Sequence, residues 1–98
     1  MPSTQQVIQE MDDHIKKNGG GYSAWYAGIA SDPRQRLFND HNVREKGDAW
    51  IYRDCELDTA ARQVEEHFLK KGCDGDTGGG DATTKYAYAY KKNGHTNP

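Results

Sequence analysis

A chain of 98 residues with a net charge of -2 has room for one domain and a modest core, and its acidic balance argues against broad, non-specific adhesion to nucleic acid. No apolar run is long enough to span a membrane and no secretory hydrophobic segment stands at the N-terminus, so the composition predicts a soluble, cytoplasmic protein with no membrane partner. Cys55 and Cys73 form no close pair, which speaks against a structural zinc site and implies no oxidising compartment.

Residues 4–17 are expected to form an amphipathic helix. Val7, Ile8, Met11 and Ile15 fall on one stripe, Ser3 and Gln6 have capping-box spacing, and Asn18 with Gly19 to Gly21 ends the helix. Residues 22–30 read as a strand with Tyr22, Ala24, Tyr26, Gly28 and Ala30 on one face and Ser23, Trp25, Ala27 and Ile29 on the other. Ser31 or Asp32 caps a second helix over 33–41, with Pro33 in its first turn and Leu37 and Phe38 inward. A second strand is predicted over 49–56. Asp58 or Thr59 caps a third helix over 59–71, which Gly72 stops.

The segment from Gly72 to Asp81 is glycine-rich and acidic and reads as a flexible surface loop. Asp74-Gly75-Asp76 begins like a calcium loop, but Lys85 stands where the last carboxylate ligand is needed. A third strand over 84–92 sets Tyr86, Tyr88 and Tyr90 on one face and Ala87 and Ala89 on the other. That alternation suits half-buried packing, with a base-stacking platform as the alternative use. Residues 93–98 carry few apolar groups and are expected to fray from a domain spanning 1–92. Helix, strand, helix, strand, helix, strand is compatible with a parallel sheet joined by right-handed crossovers and with an antiparallel one.

Helix geometry sorts the charged candidates. Ala61, Val64 and Phe68 define the apolar stripe of the third helix. At about 100° per residue, Glu65 lies beside that stripe and Glu66 nearly opposite it. A carboxylate at such a margin is partly desolvated and calls for a cation, either a metal or a partner such as Arg36 or Arg62. Arg34 and Arg36 diverge by about 200°, so only one of them can point into a site. Arg36 and His41 diverge by about 140° on a continuous α-helix, which admits His41 to a shared site only if the helix ends or bends.

The run Tyr26-Ala27-Gly28, followed by Arg36-Leu37 and His41, resembles the second half of the GIY-YIG nuclease signature. In that family a Tyr-Ile-Gly strand leads to a helix with an essential arginine, and a later helix carries a metal-binding glutamate. The stretch Val64-Glu65-Glu66-His67-Phe68-Leu69-Lys70-Lys71 is similar to the glutamate pattern, and Glu65 keeps its register. The chain departs from the family in three places. No Gly-Ile-Tyr strand precedes Tyr26, where Asp13 to Lys17 reads as a helix. Ala27 replaces the motif isoleucine, and no asparagine stands between Gly72 and Asp81.

The resemblance implies an α+β fold: a small, three-stranded, mainly antiparallel sheet flanked by three helices. It implies a magnesium-dependent endonuclease in which Glu65 holds the metal, Arg36 binds the scissile phosphate, and Tyr26 positions water or a phosphate oxygen. His41 would be auxiliary, and Tyr22 would stand in for the missing first tyrosine. Aromatic hydroxyl, guanidinium and carboxylate together suit phosphodiester chemistry. The alternative is a catalytically inactive module of the same fold that binds nucleic acid or inhibits a nucleic-acid-handling protein, of phage or mobile-element origin.

Overall fold

Apolar spacing builds the two long helices. In the computed structural model, which describes residues 3–75 and 81–98, helix α1 spans Thr4–Asn18 and buries Val7, Met11 and Ile15. Ser3 caps it by accepting a hydrogen bond from the Gln6 amide at 3.1 Å. Helix α3, Asp58–Lys71, buries Ala61, Val64, Glu65 and Phe68. Neither Asp58 nor Thr59 caps it: the capping position is Leu57, and Asp58 lies in the first turn. Residues 76–80 of the expected glycine-rich loop lie outside the described residues.

Strand β1 is Trp25–Ala30, β2 is Trp50–Asp54 and β3 is Tyr86–Lys91. The sheet is antiparallel throughout, in the order β1-β3-β2, so the last strand of the chain is the central one. The fold is thus α+β, with three helices on a three-stranded antiparallel sheet, and the parallel alternative is excluded. Among the described residues no helix is long and apolar enough to cross a membrane.

The alternation of β3 divides the domain. Ala87 and Ala89, with Trp25, Ala27 and Ile51, face α1 and α3 and form the main core with Met11, Val64 and Phe68. Small side chains on the central strand leave room for the large ones descending from the helices. Tyr88 and Tyr90 face the other way. They pack with Tyr26, Leu37 and Val43 into a second cluster under the segment that follows β1. That segment starts as α2, Pro33–Gln35, capped by Asp32, and continues as a π-helical turn over Arg36–Asp40.

Two expectations about chain ends need correcting. The strand does not begin at Tyr22. Gly19, Gly20 and Gly21 all have positive φ, and the chain leaves them as a 3₁₀ turn over Tyr22–Ala24 before β1 starts. The tail is not frayed either. The Asn97 amide donates to the His41 carbonyl at 2.8 Å, and Thr96 is 9% exposed. Polar side chains tie it down: Asn42 donates to the His95 carbonyl at 2.9 Å, and Asp48 meets both Asn93 and His95.

Candidate active site

Gly28 creates the site. A Cβ at this position would lie 2.6 Å from both Cζ and Oη of Tyr88, its cross-strand partner on β3. The missing side chain lets the Tyr88 ring lie flat across β1. Tyr26, two residues earlier on the same face, stacks on Tyr90 at 5.3 Å and on Tyr88 at 6.4 Å between ring centroids. Three phenols thus share one sheet face. A buried phenol requires a partner for its hydroxyl.

His41 is that partner. Its Nε2 lies 2.7 Å from the Tyr88 Oη, and its Nδ1 lies 2.7 Å from the Asn97 carbonyl oxygen. A carbonyl only accepts, so Nδ1 carries a proton and donates it. Burial holds the imidazole pKa below its usual value, with the Arg36 charge acting the same way and the Asn97 bond opposing them. The ring is therefore neutral at pH 7, Nε2 is bare, and Tyr88 donates to it. Tyr90 donates to the Asn97 carbonyl at 3.2 Å.

The π turn brings His41 and Arg36 together. A continuous α-helix would set them far apart. Here the His41 amide donates to the Arg36 carbonyl at 2.9 Å, five residues back. That wider turn returns residue i+5 to the face of residue i. The Arg36 side chain is 47% exposed and pairs with Asp40 at 3.1 Å. Its charge also acts on the Tyr88 phenol. Burial opposes the guanidinium charge, but Tyr88 and Asp40 outweigh it and the net pKa shift is upward. An exposed pair with Asp40 is weak and yields readily to a phosphate.

Glu65 acts on the same group through its charge. Helix α3 packs on the alanine face, yet Glu65 is 4% exposed and its charge acts on Tyr88. Burial is the main cause that raises the Tyr88 phenol from 10.0 to about 12, Arg36 opposes it, and Glu65 adds to it. Tyr90 is pushed up too, by burial first and Tyr26 next. Among the described residues no group of three His, Cys, Asp or Glu side chains could hold a metal ion.

Of the residues singled out from the sequence, Tyr26, Arg36 and His41 surround Tyr88, and the Glu65 charge is felt there. Tyr22 is elsewhere. Its hydroxyl donates to Asp12 on α1, because the glycine turn rotates it onto the helix side of the sheet. Tyr88 and Tyr90 were missed as site residues. The signal was present: alternating tyrosines on a strand with two alanines between them must bury hydroxyls, and those need partners.

No family model, curated protein or solved structure matches the chain. The GIY-YIG resemblance therefore rests on the sequence motif alone. Strand β3 pairs with β1 and brings Tyr88 opposite Gly28.

Proposed function

We propose that the protein hydrolyses nucleic-acid phosphodiester bonds as a GIY-YIG-like endonuclease, with Arg36, Tyr88 and His41 as its working groups. The observation that carries this is the Tyr88 hydroxyl held 2.7 Å from the bare Nε2 of His41, with the charge of the half-exposed Arg36 guanidinium acting on the same hydroxyl.

Each group has a role that its surroundings suit. Arg36 is half-exposed and fixed in charge, so it binds the scissile phosphate and offsets the negative charge that builds on it. Tyr88 accepts a proton from the attacking water as it passes its own to His41 Nε2. The water oxygen forms the new bond to phosphorus, the bond to the leaving oxygen breaks, and solvent protonates that oxygen. A relay is needed because a phenol at about 12 is almost never ionised at neutral pH. His41, held neutral by burial, is a competent acceptor. Tyr26 packs against His41 at 4.7 Å and keeps both rings in place.

The family resemblance implies magnesium, with Glu65 as the carboxylate that would hold it. Magnesium keeps several waters and takes one or two carboxylates together with substrate phosphate oxygens. Glu65 would supply one carboxylate, and among the described residues no group of three His, Cys, Asp or Glu side chains adds to it. When bound, the ion would add positive charge beside the phosphate. Incubation with plasmid and single-stranded substrates in magnesium tests the proposal. Cutting that disappears in Arg36→Ala is the expected result. The absence of cutting by the unaltered chain would leave the binding or inhibitory module as the function, with a stable protein or nucleic-acid complex as its sign.

A further inference from the structure

The C-terminal segment contacts His41 through a set of bonds that the hydrolytic roles above do not use. The Asn97 amide donates to the His41 carbonyl at 2.8 Å, and the Asn97 carbonyl accepts from His41 Nδ1 at 2.7 Å. The residues before Asn97 are clamped to the loop after the π turn. Asp48 receives the Arg44 amide at 2.8 Å, the Asn93 amide side chain at 3.0 Å and His95 Nε2 at 2.6 Å. Thr96 closes the turn by accepting from the Asn93 amide at 3.0 Å. This much polar anchoring of a short terminal segment ends on one atom, the carbonyl oxygen that meets the imidazole.

That oxygen decides which ring nitrogen carries the proton. Tyr90 Oη lies 3.1 Å from His41 Nδ1. Without the Asn97 carbonyl, the Tyr90 hydroxyl is free to donate to Nδ1. The proton can then move to Nε2, which would donate to Tyr88 and could accept nothing from it. With the carbonyl in place, Nδ1 must donate, Tyr90 turns its own proton to the Asn97 oxygen at 3.2 Å, and Nε2 stays bare. The three phenols alone do not select the accepting form, and the tail does.

We propose that residues 93–97 are a tautomer latch: the Asn97 main-chain carbonyl, anchored through the Asp48 clamp on Asn93 and His95, positions His41 so that Nε2 accepts the Tyr88 proton. Asn97, Asp48 and His95 are positioning residues in this scheme and touch no substrate. The catalytic consequence rests on the hydrolase proposal, whereas the tautomer itself can be read without any substrate.

The test is nitrogen-15 NMR of the His41 ring at pH 7 in the full chain, in a chain ending at Gly94, and in Asp48→Ala. The full chain should show a protonated Nδ1 and a bare Nε2. The shortened chain should show the reverse, with the amide signals of the strands unmoved. Asp48→Ala, which keeps every residue of the tail, should give a mixture of the two forms and serves where the shortened chain does not fold. A protonated Nε2 in the full chain, or an unaltered ring in both variants, would overturn the latch. If the full chain cuts nucleic acid, loss of the tail should lower kcat by about 100-fold, the scale of a lost acid–base step, with KM unchanged. If it does not cut, the hydrolase proposal fails while the ring signals still decide the latch.

Discussion

The two faces of the sheet are made from the same strands and solve different problems. On the alanine face, Ala87 and Ala89 lie under Val64, Phe68 and Met11 in a core lined almost wholly by apolar side chains. On the tyrosine face, Tyr26, Tyr88 and Tyr90 bury rings of similar bulk but carry three hydroxyls into the interior. Apolar packing suffices on the first face. The second has to supply partners, and it draws them from a π turn and from the far end of the chain. The difference teaches that one face holds the fold and the other organises polar groups at some cost in stability.

Substitutions should separate the two. Phe68→Ala removes a fully buried ring from the alanine face and should cost about 3–5 kcal/mol of stability, measured by urea unfolding. Such a loss could leave little folded protein. A cost below about 1 kcal/mol would mean that α3 is not part of the main core. Gly28→Ala pushes a methyl group into the Tyr88 ring, and overpacking of this kind costs about 1–3 kcal/mol. It should also move the Tyr88 hydroxyl off His41, visible as a changed His41 ring signal. Tyr88→Phe keeps the ring and leaves His41 Nε2 without its donor, at about 1–3 kcal/mol. A neutral Tyr88→Phe would place a water or another donor at that nitrogen.

Acid should act through buried imidazoles. His41 and His14 both have pKa values held below the usual one, chiefly by burial. The unfolded chain therefore binds protons at these rings that the folded chain refuses. The stability is full above the ordinary imidazole value of about 6.5 and is lost as pH falls below it. A Tm that falls from about pH 8 to pH 5 is expected, and one that stays level would show these rings to be solvated. The smallest effect belongs to Arg34→Ala. It breaks a half-exposed pair with Glu45 and should change stability by no more than about 0.5 kcal/mol.

Much of this arrangement was legible in the sequence where a simple period governs. The stripe Val7, Met11, Ile15 and the stripe Ala61, Val64, Phe68 gave both long helices, and the alternation of residues 86–90 gave the third strand with its two faces. The margin position of Glu65 marked it as partly desolvated, and in the fold it is buried outright. What escaped depends on departures from those periods. The phase between Arg36 and His41 assumes an α-helix, and a π turn changes it. Three glycines with positive φ break the strand before Tyr26 and send Tyr22 to Asp12. The tail looked free because it has few apolar residues, yet Asn93, His95 and Thr96 hold it through polar contacts. Pairing of the last strand with the first is a long-range contact that no local pattern encodes.

The central claim is that Tyr88 moves a proton during phosphodiester hydrolysis. The most direct measurement compares magnesium-dependent cleavage by the unaltered chain and by Tyr88→Phe, with folding of both verified by circular dichroism. The expected result is cutting by the unaltered chain and a loss of at least about 100-fold in Tyr88→Phe, with substrate binding retained. Equal cutting by the two proteins would contradict the relay.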